Sequence, residues 1–125
     1  SAEQAESVLR INLLTPVELC RQAVPRMLAR EAGHIVNISS VAGCGMFPGL
    51  SVYSSSKAGL SHFTAGLRAD MRGLPVSTTL VELGPVSTEL FDDSRRYVPT
   101  ARAFQRAFRL RAFVELVPEQ VASAW

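Results

Sequence analysis

Hydrophobic residues recur at helical spacing over the first thirty positions of the chain, and the resulting apolar stripe has one interruption. Asn12 places a polar side chain within that stripe. Shortly after it, Thr15-Pro16-Val17-Glu18 has the composition of a helix start, because Thr can cap, Pro suits the first helical position and Glu completes a capping box. The pattern predicts a helix over residues 3–30 with a bend or restart near residues 12–16.

Two runs of β-branched residues predict strands. The first, residues 34–39, is typical of a strand buried on both faces, and Ser40 stands at its carboxyl end. The second, residues 76–83, ends at Gly84-Pro85. Between the two strands, an irregular glycine-rich loop leads into a predicted helix over residues 53–71.

Two further helical patterns follow the second strand. One is a short amphipathic pattern around Phe104 and Phe108, and the other starts near Val117-Pro118 and runs to Trp125. The order helix, strand, helix, strand, helix predicts an α/β fold with a doubly wound parallel sheet. Two parallel strands alone leave both sheet edges open and offer little surface to their helices. We therefore expect residues 1–125 to be part of one larger domain.

The composition is typical of a globular, soluble protein. The length of 125 residues suits one domain, and 47% of the residues are hydrophobic. No apolar run approaches the roughly 20 residues needed to cross a bilayer, and no signal pattern opens the chain, so the expected location is the cytoplasm. Cys20 and Cys44 lack the spaced Cys or His partners of a zinc site, so neither a metal nor a disulfide is expected.

Basic residues are unevenly distributed, although the formal net charge is only +2. Lysine and arginine total 13, and Lys57 is the only lysine, which leaves 12 arginines. Six of these arginines fall between residues 95 and 111, close to three phenylalanines. One interpretation is a basic amphipathic helix on an anionic membrane or a nucleic acid. A solvated helix face or a pocket lid is the interpretation that we favour, and the small net charge argues against nucleic acid.

Tyr53 and Lys57 form the first candidate site, since a four-residue spacing puts a phenol and an ammonium on one helix face. At about 4 to 5 Å and an effective dielectric constant near 20, a cation stabilises a phenolate by roughly 3 to 4 kcal/mol. Such an interaction brings a phenol toward the neutral range, in which general acid–base catalysis is most effective. Surface pairs also show this spacing, but the chain has two tyrosines and one lysine, so a chance pairing is uncommon.

Ser39 and Ser40 are both candidates for a hydroxyl that hydrogen-bonds a reacting oxygen. They stand at the carboxyl end of the first predicted strand, which is the edge at which open α/β sheets bind ligands. Strand alternation points adjacent side chains in opposite directions, so only one of the two should face the site. Capping of a turn is the alternative role for such a serine.

Residues 34–43, 53–67 and 84–88 together resemble the second half of the short-chain dehydrogenase/reductase (SDR) family, and the resemblance extends over nearly the whole chain. In that family Asn, Ser, Tyr and Lys act together. The Ser precedes the Tyr by 13 residues, which selects Ser40 over Ser39. The resemblance therefore implies a catalytic set of four residues, namely Asn12, Ser40, Tyr53 and Lys57.

Each of these residues has an implied role. Tyr53 would exchange a proton with the substrate alcohol or carbonyl, and Ser40 would hold that oxygen. Lys57 would support the tyrosine and bind the nicotinamide ribose, and Asn12 would bend its helix and hold a relay water. The implied fold is a Rossmann fold. The implied activity is the NAD- or NADP-dependent interconversion of a secondary alcohol and a ketone or aldehyde.

The segment from Leu83 to Thr88 is similar to the Pro-Gly loop with which the family contacts the nicotinamide and the phosphates, although Leu83 replaces the usual proline. The implied cofactor contacts are Tyr53, Lys57, Gly84, Pro85, Val86 and Thr88. A simple turn after the strand is the alternative. The sequence has no TGxxxGxG turn and no Asn-Asn-Ala-Gly segment, so we expect the N-terminal cofactor-binding half to be absent and these residues to have negligible activity alone.

The same resemblance indicates the substrate and the assembly. Cys44, Met46, Phe47 and the region 90–113 would line or cover a pocket for an apolar small-molecule alcohol or carbonyl. Family members commonly pair through their two long helices, so a homodimer or homotetramer is expected. The alternative function is a truncated, inactive fragment that serves only in assembly. His34 and His62 have no catalytic or metal partners in the sequence, and we expect both to be structural.

Overall fold

The computed structural model describes residues 1–86, 96–110 and 117–122. Within those ranges the protein is an α/β arrangement in the predicted order of elements. The α-helices are α1 (Ala2–Leu9), α2 (Thr15–Ala29), α3 (Ser51–Asp70), α4 (Val98–Arg109) and α5 (Pro118–Ala122), and the strands are β1 (Gly33–Ser40) and β2 (Val76–Leu83). The predicted contact at Thr88 and the predicted helix end at Trp125 lie outside the described residues.

A π-helical turn, Arg10–Leu14, joins α1 to α2 without a break in the helical backbone. The N–H of Thr15 donates to the carbonyl of Arg10, five residues earlier. Pro16 supplies the physical reason, because it has no N–H for the carbonyl four residues before it, and a wider turn accommodates the missing bond. The bend or restart expected near residues 12–16 is thus a π turn inside one continuous helix.

The capping box predicted at the start of α2 is wrong. The preceding residue, Leu14, already has helical backbone angles, and no side chain caps α2. Glu18 instead accepts hydrogen bonds of 2.7 Å from Arg21 and Gln22, and these bonds lower the pKa of its carboxyl to about 2. A capping box does form at the start of α1, where Ser1 and Gln4 each bond the backbone of the other.

The two strands pair in parallel, so their carboxyl ends, Ser40 and Leu83, lie side by side. One face of β1 is buried, but Val36 and Ile38 on the other face are 42% and 43% exposed. The expectation of a strand buried on both faces therefore fails within the described residues, because α2 and α3 pack on the same side of β1. A buried amide secures that packing: Asn37 lies beside the Cys20 thiol of α2 and donates a 2.9 Å hydrogen bond to Thr64 of α3.

A short 3₁₀ turn, Val41–Gly43, carries the chain away from the carboxyl end of β1 and packs against α3. A Cβ atom on Gly43 would lie 2.9 Å from the backbone nitrogen of Ala58. Only glycine therefore lets this turn approach the helix so closely without a shift of backbone. The contact brings Ser40 to the part of α3 that carries Tyr53 and Lys57.

The remaining histidine and cysteine side chains give no sign of a metal centre. The His34 ring bonds the hydroxyls of Ser77 and Thr79 at 2.7 and 3.0 Å, which is the structural role expected of it. Cys20 is buried and Cys44 is exposed, and both thiols are free. Among the described residues, no three His, Cys, Asp or Glu side chains gather as metal ligands would. None of the helices in those ranges has the length and apolar character to cross a membrane.

Candidate active site

A cavity of about 400 Å³ lies at the carboxyl edge of the sheet. Its position is the one at which parallel sheets present their ligand sites, because strand ends and the loops that follow them converge there. Ser40, Tyr53, Lys57, Gly84, Pro85 and Val86 line it together, with Val8, Ile38, Ser39, Val41, Ala42, Leu50, Leu83 and Phe104. Of the described residues in the predicted catalytic and cofactor-binding sets, all except Asn12 line this one cavity.

Tyr53 and Lys57 stand one helical turn apart on α3, and both are half-buried. The Lys57 ammonium lies 5.9 Å from the centroid of the Tyr53 ring, and it donates a hydrogen bond of 3.2 Å to the carbonyl of Ile38 in β1. Burial lowers the pKa of Lys57 from its ordinary value, because desolvation disfavours the ammonium. The two side chains converge, so a positive charge faces the phenol ring at the cavity wall.

Ser40 and Ser39 point in different directions, as strand alternation predicts. The Ser39 hydroxyl is 2% exposed and donates to the Lys57 carbonyl at 3.0 Å, so it is used in attaching β1 to α3. The Ser40 hydroxyl accepts a bond of 3.2 Å from the N–H of Ala42 and caps the 3₁₀ turn. Capping uses only an oxygen lone pair, so the O–H of Ser40 still has its proton to donate into the cavity.

Asn12 is placed differently from the other three. It sits in the π-helical turn, and its amide donates a hydrogen bond of 3.3 Å to the hydroxyl of Ser56. Ser56 is fully buried and in turn donates at 2.6 Å to the backbone carbonyl of Tyr53. Asn12 therefore reaches Tyr53 through Ser56, a residue that the sequence analysis missed. The sequence does contain an indication of Ser56. It stands three positions after Tyr53, on the helix face that must pack against α1 and α2.

The loop after β2 borders the cavity with its backbone. Pro85 is buried, while Gly84 and Val86 are half-buried. Leu83, which stands in the place of the usual family proline, also lines the cavity. The structure thus places Gly84, Pro85 and Val86 beside Tyr53 and Lys57.

An aromatic residue, supported by a second one, borders one side of the cavity. Phe104 of α4 lines the cavity, is 6% exposed, and stacks on Phe47 with ring centroids 4.8 Å apart. Met46 is 99% exposed and Cys44 is also exposed, so the expectation that these two side chains line the pocket is wrong. Met46 extends into solvent and Cys44 lies against Glu82, so of the three predicted loop residues only Phe47 packs against a side chain of the pocket wall.

A second group of polar side chains lies on the α3-facing side of β2, beside the cavity. The Ser61 hydroxyl lies 2.8 Å from the Ser39 hydroxyl and 3.2 Å from the carboxylate of Glu82, and its single proton can be donated to either oxygen. The Cys44 thiol donates to the same carboxylate at 3.3 Å. The hydrogen bond to Glu82, followed by its negative charge and by desolvation, raises the pKa of the Cys44 thiol. Sequence patterns gave no indication of this contact, because residues 44 and 82 belong to separate loop and strand segments.

We expect Glu82→Gln to make Cys44 more reactive toward alkylating reagents, because the thiolate would no longer face a carboxylate. The change should raise the rate of iodoacetamide labelling at pH 8 several-fold, by moving the thiol pKa down. Ser61→Ala removes a neighbour of Glu82 without removing the charge and serves as the control. An unchanged labelling rate in Glu82→Gln would contradict the assigned contact.

A groove of about 390 Å³ runs along the edge of β1 that faces away from β2. Asn12 and Lys57 line it together with apolar side chains from α2 and β1, among them Leu19 and Ile35. A strand edge of this kind presents backbone N–H and C=O groups that can pair with a further strand. That the sheet continues beyond the two described strands stays a prediction.

These features describe one class of protein. It is an α/β protein in which a Tyr and Lys pair, a serine hydroxyl and a loop that contains glycine surround one cavity at the carboxyl edge of a parallel sheet. The sequence matches the short chain dehydrogenase family over residues 1–98. The chain therefore belongs to that family.

Individual relatives agree with this assignment. The NADP-dependent 3-hydroxy acid dehydrogenase of Escherichia coli is 33% identical, over 99% of this chain and 49% of its own length. A ketoacyl reductase of Nostoc is 40% identical over 79% of this chain and 35% of its own length. Among solved structures, the closed form of a serine dehydrogenase complexed with NADP+ superposes with a TM-score of 0.77 at 33% identity, over 99% of this chain and 49% of the other. The chain spans about half the length of the curated relatives it matches.

Proposed function

We propose that this chain supplies the proton-transfer site of an NADP-dependent oxidoreductase that interconverts a secondary alcohol and a ketone or aldehyde. The observation that carries the proposal is the convergence of Ser40, Tyr53 and Lys57 on one cavity beside the loop at Gly84. The family match and the NADP-dependent relatives support it.

In the proposed reaction Tyr53 transfers the proton. During carbonyl reduction, the phenol O–H donates its proton to the oxygen of the substrate, and the Lys57 ammonium stabilises the phenolate that remains. The Ser40 O–H donates a hydrogen bond to the same oxygen and so holds the substrate against Tyr53. Asn12 acts through Ser56, which fixes the backbone carbonyl of Tyr53. Alcohol oxidation uses the same groups in the opposite direction.

The residues present fit the nicotinamide end of a dinucleotide. The Lys57 ammonium has three N–H groups and makes one protein hydrogen bond in the described part of the chain, to Ile38, so further donors are available for ribose hydroxyls. Backbone from Gly84 to Val86 would lie along the nicotinamide. When bound, the nicotinamide supplies or accepts the hydride. The sequence contains no glycine-rich turn of the kind that binds the pyrophosphate. The proposal therefore assigns only the nicotinamide end of the cofactor to these residues.

The cavity favours an uncharged, apolar substrate. Apart from Lys57, the residues that line it carry no charge, and most are aliphatic or aromatic. A substrate ammonium buried there would have no partner among the described residues, which is costly. A substrate carboxylate would compete for the Lys57 ammonium, which the proposed reaction uses to stabilise the phenolate and to bind the ribose. Phe104, which stacks on Phe47, offers a flat apolar wall to the carbon skeleton of the substrate.

A deuterium-transfer experiment tests the proposed activity. The chain is expressed together with any sequence that precedes Ser1 in its reading frame, and it is incubated with NADP+ and secondary alcohols deuterated at the carbinol carbon. We expect the label to appear on the reduced nicotinamide for aliphatic and aryl alcohols, and to a smaller extent for 3-hydroxy acids. Reduced cofactor without label, or no turnover with any alcohol, would contradict the proposal.

An assembly role is the second candidate, and one observation favours it. Ile11, Leu14 and Leu19 on the long N-terminal helix are 64%, 55% and 61% exposed. Large apolar side chains in that number on one helix suit burial against a second subunit. A homodimer or homotetramer that forms but shows no label transfer would favour this alternative over the enzyme.

A further inference from the structure

The outer face of α4 carries three arginines in a row. Arg102, Arg106 and Arg109 are exposed and spaced by four and three residues, so they share one side of the helix. Arg102 and Arg106 each stand two positions from the buried Phe104, which is a rotation of about 200°. The arginines therefore point away from the cavity that Phe104 lines, and they belong to a surface distinct from the proton-transfer site.

These arginines have no carboxylate neighbours on their own helix. The sequence of α4 contains no Asp or Glu. Elsewhere on the surface, Arg10 pairs with Glu6 and Arg21 pairs with Glu18, at 2.8 and 2.7 Å. Within the described part of the chain, the three guanidinium groups of α4 make no ion pair. Guanidinium groups without an ion pair are suited to bind phosphate, because each one can donate two parallel hydrogen bonds to a phosphate group.

Exposed aliphatic residues border the arginine row on both sides. Val98 and Leu110 are 57% and 71% exposed, and their positions on the helix place them at either side of the three arginines. Tyr97, at the start of α4, is 56% exposed. Aliphatic side chains gain nothing from contact with nucleic acid phosphates, whereas they gain from entry into the boundary between lipid headgroups and acyl chains.

We propose that the outer face of α4, defined by Val98, Arg102, Arg106, Arg109 and Leu110, docks on the surface of an anionic phospholipid bilayer. The arginines bind the phosphate and carboxylate groups of the lipids, and the two aliphatic side chains enter the headgroup region. These five side chains are already exposed, so docking requires no change in the fold. It also turns the helix that closes the cavity toward the membrane, where apolar substrates concentrate. The surface and its test are independent of the proposed reaction.

Co-sedimentation with vesicles tests the proposal. The probe is a vesicle of phosphatidylcholine and phosphatidylserine in equal parts, compared with pure phosphatidylcholine. We expect binding to the anionic vesicles only, and we expect it to be lost as added salt shortens the Debye length from about 10 Å at 0.1 M to about 3 Å at 1 M. Equal binding to both vesicles, or no binding at low salt, would overturn the proposal.

Matched variants separate this surface from a general effect of charge. Replacing Arg102, Arg106 and Arg109 together by Gln should weaken vesicle binding by about fivefold per arginine, or about a hundredfold in total. The control replaces Arg26, Arg68 and Arg72 by Gln, which removes the same charge from exposed positions at the ends of α2 and α3. This control should bind within about threefold of the unchanged protein, and an equal loss in both triple variants would overturn the assignment to α4.

A double variant distinguishes lipid from nucleic acid. Replacing Val98 and Leu110 by Ser removes aliphatic surface but no charge, so it should lower vesicle binding at least about fivefold. Its binding to duplex DNA, measured as a competing polyanion, should not change. Tight binding to DNA with no effect of the double variant on vesicles would assign the surface to nucleic acid and overturn the proposal. Circular dichroism of each variant checks that the exposed substitutions leave the fold intact.

Discussion

Replacement of Tyr53 by Phe should lower turnover by at least about a hundredfold, because the positioned general acid is lost while the ring is kept. The phenyl ring fills the same space at the cavity wall and keeps the cation–π contact with Lys57 at 5.9 Å. Binding of NADP should therefore stay within about threefold of the unchanged protein. Steady-state kinetics with a secondary alcohol, together with a fluorescence titration of NADPH, give both quantities.

The chain offers a matched control for this change. Tyr97 is the only other tyrosine, and it is 56% exposed at the start of α4 and is not one of the residues that line the cavity. Tyr97→Phe should keep the turnover of the unchanged protein within about twofold. If Tyr53→Phe turns over at a near-normal rate, or if both variants lose activity equally, proton transfer does not belong to Tyr53.

Replacement of Lys57 by Met should produce a loss of similar size. The ammonium lies 5.9 Å from the centroid of the ring. At about that distance and an effective dielectric constant of about 20, a cation stabilises a phenolate by about 3 kcal/mol, which is roughly a hundredfold in rate. The same change removes the group proposed to bind the nicotinamide ribose. The Kd for NADP should therefore rise as well, which separates this variant from Tyr53→Phe.

Lys57→Met should not lower the stability of the folded protein, although it lowers the activity. The pKa of Lys57 in the folded protein lies below its ordinary value because of burial. Between those two pKa values the unfolded state binds more protons, so stability rises with pH in that window, and at neutral pH the buried ammonium opposes folding. Lys57→Met should then leave the free energy of unfolding at pH 7 unchanged or higher, as measured by urea denaturation. Lys57→Arg, which keeps the charge in a planar group, should recover part of the activity, and a fully active Lys57→Met would contradict the role.

The elements of the fold were predictable from the sequence because each had a strong local pattern. The β-branched runs gave both strands with Ser40 at the end of the first, and the helical stripes gave α2 and α3. The continuation of the helix through Thr15 was not predictable from a local start signal. A cap competes with the continuing helix, and here packing of the whole helix on β1 and α3 decides the outcome. The exposure of one face of β1 was not predictable either, because it depends on α2 and α3 packing on the same side of the strand.

The candidate site was predictable where spacing along one element fixes geometry, as it does for Tyr53 and Lys57. The four-residue separation places both side chains on one face of α3, whatever the rest of the chain does. Contacts between elements were not accessible in this way. The link from Asn12 through Ser56 and the contact between Cys44 and Glu82 each join residues about 40 positions apart. The first depends on how the π-helical turn packs on α3, and the second on the 3₁₀ turn at Gly43, and neither fit can be judged from the sequence alone.

A crystal structure of the active protein with NADP and an unreactive analogue of the alcohol tests the central claim most directly. The distance to measure joins the phenolic oxygen of Tyr53 to the oxygen of the bound analogue. We predict about 2.6–3.2 Å, with the hydroxyl of Ser40 on the same oxygen. An analogue oxygen bound by other groups, with the phenol of Tyr53 turned out of the cavity, would contradict the account.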